Sequence, residues 1–394
     1  MEHLVFFGSQ KNPFRGFIDQ FSINQLCSPI NAITSQDHTK FMFSGVKIEK
    51  VVARLIEQLL KPFWPEEAFY TEIFDPKSNT GVMFYELCDR EFDLKLISPL
   101  ECRKVLYSNF GSFNCDASGS AANLRNGECQ FTAVRNYHEK HYKPFNFGIF
   151  VHGNLDLEEL QGDLKSVLEH YTLEPKMVEV RDKVKSDSLR IMTLPCPNED
   201  LFLTLSWEII LDDLEATKVL LEFFKKNHSV LFSNFAYEIM ILDSDHANVC
   251  VTFEDFEELD EEKMAIKMKK SIAEYMNQVG KDSFLECLKS ALQLTKVRNQ
   301  LEDETNPHEK VMRSFTNHFL YHFEEEGQIV ENDFTFWYNV TKRWVRENWG
   351  VVVINGSQKL YEKEVKSHKF HSKQPTPRKS QFSGAERAKR AERL

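Results

Sequence analysis

No stretch of the 394-residue sequence is apolar for the length a bilayer-crossing helix requires, about 20 residues. No two of its eight cysteines stand at C-x-x-C spacing, which argues against a cysteine zinc site. Glu2 and His3 follow Met1 directly, with no basic segment ahead of an apolar run, so no secretory leader is legible. The expectation is therefore a cytoplasmic chain with reduced thiols and no membrane partner. Phosphate-loop (G-x-x-x-x-G-K-[ST]) and nucleophile-elbow (G-x-S-x-G) motifs are also missing, which removes support for nucleotide or serine hydrolysis. Positive charge is in deficit: 49 Lys and Arg face 60 Asp and Glu, a net of −11 that argues against nucleic acid as a partner of the whole chain.

What the chain does have is apolar bulk. Its 33 phenylalanines and 42% hydrophobic content suit two domains with a core each. Two segments share one pattern. Phe147-Gly148-Ile149-Phe150-Val151-His152-Gly153 and Trp349-Gly350-Val351-Val352-Val353-Ile354-Asn355-Gly356 each read as a buried strand closed by glycine. Each follows an aromatic, basic segment with helical spacing, at Tyr137–Tyr142 and Trp337–Trp344. That repetition predicts two copies of one module.

Helical periodicity marks Val46–Leu60, Leu157–Tyr171, Leu214–Phe224, Met264–Met276 and Phe284–Val297, and strands are expected at Leu201–Trp207 and Tyr237–Leu242. The fold class expected is α+β: two homologous modules, each a mostly antiparallel sheet with helices on one face. The boundaries fall at 1–185, 186–356 and a basic, flexible linker at 357–394 that is too poor in apolar residues to pack.

The opening Met1-Glu2-His3-Leu4-Val5-Phe6-Phe7-Gly8-Ser9 is followed in order by Phe17-Ile18-Asp19-Gln20, by Asn31-Ala32-Ile33-Thr34 and by Asp37-His38-Thr39-Lys40-Phe41. Further on come Gly81–Glu91 and Val134-Arg135-Asn136-Tyr137-His138-Glu139-Lys140-His141-Tyr142-Lys143-Pro144-Phe145-Asn146. This series resembles the N-terminal half of the pitrilysin/insulinase family of zinc metallopeptidases, and within it a cytosolic branch related to the presequence-degrading enzymes. The likeness is close over residues 1 to 170 and faint from 190 to 355.

The family motif is H-x-x-E-H on a helix. Two histidines four apart share a helical face and one zinc, and the glutamate beside the second serves the metal-bound water as base. The resemblance implies Glu2 as general base, and His3 and Glu86 as Zn2+ ligands, with Glu91 the competitor to Glu86. The first histidine of the motif would stand two residues ahead of Met1, so the chain is read as truncated before it. Asn31 and Thr34 would hold a peptide substrate added as a strand to the sheet edge. The plain readings beside these are a solvated helical carboxylate for Glu86 and a turn asparagine after Pro29 for Asn31.

The family also implies a clamshell, so the missing C-terminal half of the enzyme would be a partner, and the fragment alone would be weakly active or inactive. The alternative is a non-catalytic structural subunit of the same fold. Elsewhere, His318 and His322 stand at metal-binding spacing, but the aromatic residues around them read as a structural helix. The acidic run 254–262 reads as a solvated loop and helix start.

Overall fold

The computed structural model describes residues 1–90, 93–109, 116–127, 129–169, 171, 184–185, 190–195, 201–227, 235–254, 261–305, 307–321, 333–347 and 349–355. Residues 1–194 and 201–354 form one compact unit. The other unit, 195–200 with 355–394, holds the expected linker at 357–394, which lies outside the described residues.

The N-terminal part opens with a one-turn helix, α1 (Glu2–Val5), then α2 (Phe17–Asn24), an antiparallel pair β1 (Asn31–Thr34) and β2 (Thr39–Met42), and α3 (Ile48–Leu60). Next come α4 (Glu66–Glu72), α5 (Val82–Arg90), α6 (Leu94–Leu106), β3 (Tyr107–Asn109), α7 (Ala121–Arg125), α8 (Phe131–His141), α9 (Leu157–Leu168) and β4 (Val184–Lys185), which pairs with β3. α3 buries Val51, Val52, Leu55, Ile56, Leu59 and Leu60, a stripe at helical spacing. That stripe packs with Val5, Ile18 and Leu160 into one core. A second core gathers Leu4, Phe69, Ile73, Phe84, Leu87 and Leu124 from α1, α4, α5 and α7.

In the C-terminal part follow β5 (Arg190–Pro195), β6 (Leu201–Ile210), α10 (Leu214–Asn227), β7 (Phe235–Ile241), β8 (His246–Glu254), α11 (Glu261–Gln278), α12 (Lys281–Thr305), α13 (Pro307–Tyr321), α14 (Phe334–Arg346) and β9 (Gly350–Asn355). The five strands form one sheet in the order β5-β9-β6-β8-β7, with β8 antiparallel to both β6 and β7. The fold is α+β with small antiparallel sheets, as the sequence predicted.

Alternation along β6 divides the sheet's faces. Leu203, Leu205, Trp207 and Ile209 enter the large core, where the Trp207 ring stacks on Trp349 at 4.7 Å and meets Trp344 at 5.4 Å. Thr204, Ser206 and Glu208 are buried too, and α6 meets Thr204. Cys102 Sγ donates to the Thr204 carbonyl at 3.4 Å, and Tyr107 Oη, just past α6, donates to Glu208 at 3.0 Å. Arg343 grips Asp213 through Nε and Nη2, at 2.7 and 2.5 Å, and ties α14 to the turn ahead of α10.

The two repeated apolar segments part company. β9 is a strand of the sheet, whereas Phe147–Gly153 carries no strand, and Ile149 and Phe150 are each 38% exposed. The expectation of a buried strand there is corrected: among the described residues no strand lies alongside to pair with its backbone. Side chains hold it instead. Phe147 and Val151 reach the α3 core, Phe150 meets Phe315 at 5.0 Å, and the Phe319 ring closes on Gly148.

His138 joins α8 to α3. Its Nε2–H donates to the Leu59 carbonyl at 2.7 Å, with Tyr142 stacked at 4.9 Å and Trp64 edge-on at 5.3 Å. Burial pushes its pKa below the usual histidine value, assisted by Lys143 against the opposing Leu59 hydrogen bond.

Two outcomes are expected. Trp207→Ala removes a ring from a stack closed on all sides and should cost about 3–5 kcal/mol, read as a lower urea midpoint at unchanged m-value. For His138 the unfolded chain binds the proton more readily than the folded one. Stability from this residue is therefore complete above about pH 6.5 and declines as pH falls through that value. His138→Gln should flatten the loss of stability between about pH 7 and pH 5; an unchanged slope refutes the assignment.

Candidate metal centre

α1 is too short to be stable by itself, so its position is set by what it buries. Leu4 and Val5 are both fully buried, but in different cores: Leu4 with α4 and α5, Val5 with α3. Gln58 Nε2 donates to the Val5 carbonyl at 2.7 Å and satisfies the end of the turn. With Leu4 and Val5 fixed inward, Glu2 and His3 are left partly open.

α4 and α5 approach closely. A Cβ on Gly81 would stand 2.3 Å from the Ile73 carbonyl oxygen, so only glycine allows α5 to begin so near the end of α4. The Phe74 and Phe84 rings then meet at 4.9 Å. This approach brings two glutamates, Glu72 and Glu86, to the same imidazole. His3 Nδ1–H donates to Glu72 Oε1 at 3.1 Å, and His3 Nε2 stands 3.8 Å from Glu86 Oε2.

In a neutral imidazole the proton given to Glu72 sits on Nδ1, which leaves the lone pair on Nε2, the nitrogen nearer Glu86. The second separation is too long for a hydrogen bond. Two ligands of one tetrahedral zinc, each about 2.0–2.1 Å from the metal, lie about 3.4 Å apart, so His3 and Glu86 fit one ion after closing by a few tenths of an ångström. The chemistry of this donor pair, a neutral imidazole and a carboxylate, suits zinc. Glu86 is 54% exposed on its side chain, so the gap opens to solvent.

Glu72 was not legible as a site residue, and neither was Arg15. The Glu72 side chain is 7% exposed, and its second oxygen accepts from Arg15 Nη2 at 2.9 Å. The guanidinium lies 4.7 Å over the Phe7 ring. The available signal was positional: Ala68, Phe69 and Ile73 define the buried face of α4, and Glu72 falls on that face.

The other expected residues divide. Thr34 Oγ1 donates to Glu2 Oε2 and lies 3.3 Å from Thr39 Oγ1. The hydroxyl expected to hold substrate is thus engaged with the expected base. The Tyr142 hydroxyl contacts Thr39, and burial pushes its pKa up to about 12. Asn31 is exposed at the start of β1, where its Oδ1 accepts the Ala32 N–H at 3.0 Å. Glu91 and His322 lie outside the described residues, and His318 is exposed on α13.

Among the described residues, the group of three possible metal ligands whose donor atoms all lie within 4.8 Å of one another is Asp243, Asp245 and His246 at the β7–β8 turn. Asp243 Oδ1 accepts the N–H groups of Asp245 and His246 at 2.9 and 2.8 Å, which accounts for it as a hairpin turn.

Comparison with known proteins gives three kinds of match. Residues 129–238 match the family model "Peptidase M16 inactive domain". An uncharacterised Caenorhabditis elegans protein is 33% identical over 166 residues, 41% of this chain and 17% of the relative. Mitochondrial presequence protease of Xenopus tropicalis is 24% identical over 172 residues, 40% of this chain and 16% of the relative. The matched stretch thus spans about a sixth of these relatives' own length.

Among solved structures, a protease from Helicobacter pylori superposes with a TM-score of 0.65 at 14% identity, over 90% of this chain and 88% of that one. The first half of the periplasmic protease PqqL from Escherichia coli gives 0.64 at 14% identity, over 96% and 88%. These two show the fold alone, and among the described residues no helix is long and apolar enough to cross a membrane. The family-model match and the presequence-protease relatives support the resemblance of this chain to the pitrilysin/insulinase (M16) peptidases, and the solved structures give it the fold of such a half.

Proposed function

We propose that this chain carries the zinc-binding half of a pitrilysin-type metallopeptidase that hydrolyses peptides. The observation that carries the reading is the approach of His3 Nε2 to Glu86 Oε2 at 3.8 Å, with Glu72 fixing the imidazole from its other side. His3 and Glu86 would hold the zinc, and Glu72 would be the outer partner that orients His3. A bound zinc supplies water acidified to a pKa of about 7.

The chain's own groups do the rest. Thr34 holds Glu2 Oε2, which leaves Oε1 to take a proton. β1 has a partner strand on one side only among the described residues, so an extended peptide can add along its other edge. Asn31, at the start of that edge, would exchange the Ala32 N–H for the peptide. In this reading 1–185 is the zinc-bearing module, 186–356 its non-catalytic copy and 357–394 the linker to the second half of the clamshell.

A second reading is a non-catalytic subunit. It is favoured by the family model matched at 129–238, which describes an inactive domain.

Zinc titration separates the elements of the proposal. With a histidine added two residues ahead of Met1, the chain should bind one zinc tightly. Glu86→Gln and Glu72→Gln should each weaken it, by about 10–100-fold for the outer partner. Equal affinity in Glu86→Gln sinks the ligand assignment. Glu2→Gln should keep zinc affinity and abolish cleavage of an unfolded peptide by the chain assembled with its C-terminal half. A zinc-loaded assembly with Glu2 intact that cleaves nothing establishes the non-catalytic reading.

A further inference from the structure

A second concavity lies where the C-terminal ends of α3 and α8 meet. Its volume is about 180 Å3, whereas one water needs about 10–15 Å3 by the same measure, so it has room for a small organic molecule. Three cations line it: Lys61, Arg135 and Lys143. The one carboxylate among its lining residues, Glu139, lies 4.0 Å from Arg135. This reverses the sign of a chain whose net charge is −11.

Two helix ends contribute opposing partial charge, about half a unit each. Their carbonyls are already engaged: Leu59 by His138 Nε2–H, His138 by the Tyr142 N–H, and Lys61 by the Gln10 N–H at 2.9 Å. Those partial charges are smaller than the three full cations, so the lining residues together stay positive after Glu139 is counted, with Glu57 near Tyr171 the next carboxylate outward.

The walls are flat and stiff. Trp64 and Tyr142 are both locked against His138, and the Lys61 ammonium sits 5.6 Å over the Tyr171 ring. His138 itself, donating from Nε2, presents Nδ1 as an acceptor and adds no charge. A site lined by both cations and aromatic rings suits a ligand that carries an anionic group together with a flat ring.

We propose that this pocket binds a small organic anion, a phosphate or carboxylate carried on a flat ring, with the anion at Lys61 and Lys143 and the ring against Trp64 and Tyr171. The pocket adjoins the metal centre through Tyr142, whose hydroxyl contacts Thr39, but its proposed ligand does not depend on that centre's assignment.

The test is titration of the whole chain with phenyl phosphate, benzoate and inorganic phosphate, followed by calorimetry and by amide NMR shifts. Phenyl phosphate or benzoate should bind saturably at one site, and the tighter of the two identifies the anionic group. Inorganic phosphate should bind at least about tenfold more weakly than phenyl phosphate. Lys61→Ala with Lys143→Ala should lower affinity about tenfold or more at unchanged melting temperature, and added salt should weaken binding in the parent chain. Should the alanine pair lose stability, Lys143→Gln alone serves, with a smaller loss in the same direction. No saturation by either aryl anion up to roughly 10 mM, or equal binding by the lysine variants, overturns the proposal. Binding of inorganic phosphate as tight as phenyl phosphate overturns the role of the ring.

Discussion

The hydrogen bond from His3 Nδ1 to Glu72 governs the N-terminal site. A carboxylate at 7% exposure is costly unless its oxygens are paired, and here both are: Oε1 by His3 and Oε2 by Arg15. Because Arg15 enters from the surface, 61% exposed, its attraction for Glu72 is screened by solvent, and the buried half of the arrangement depends more on the imidazole. The consequence is directional. With one nitrogen committed to Glu72, the other can face only the gap toward Glu86.

That constraint has an architectural source. α1 spans four residues and draws its stability from Leu4 and Val5, each committed to a separate core. The centre therefore stands on the seam between two hydrophobic clusters. Loosening either one would rotate Glu2 and His3 away from α4 and α5. Gly81 holds the opposite wall, since any side chain there would drive α5 off the end of α4 and carry Glu86 with it. Precision at the site thus comes from packing beneath it, in keeping with the need to hold ligands on rigid elements.

Much of this fold was legible. The stripe on α3, the alternation in β6 and the helices expected at 214–224, 264–276 and 284–297 follow from spacing, because Val219, Phe223, Met268, Ile272, Phe284 and Leu288 recur on buried faces, although α12 runs on past 297 with Val297 and Leu301 exposed. Phe147–Val151 misled because composition reports apolar burial but not pairing: its side chains found partners in Phe315 and the α3 core while, among the described residues, its backbone has no partner strand. The pairing of His3 with Glu86 was legible only through resemblance, since their 83-residue separation has no periodic signature. Glu72 and Arg15 escaped because a buried glutamate on an amphipathic helix looks like an interruption of the apolar face until its partners are known.

The same reasoning bears on what the carboxylate–imidazole arrangement is for. Buried ion pairs are weak contributors to stability, and well-packed apolar residues of similar volume often serve as well or better. Glu72 is buried on α4, whose Phe69 and Ile73 belong to the second core, so an apolar residue there is compatible with the surrounding packing. What an apolar residue could not supply is a fixed proton on Nδ1 and an available lone pair on Nε2. The polar placement thus gives orientation instead of stability, and orientation has value where a third group must be met. The nearest carboxylate across the gap is Glu86, separated by a distance too great for a hydrogen bond and close to the span of one metal ion. The orientation is thus a property of the packing and the Glu72 contact, and it is this feature on which the proposed metal role rests.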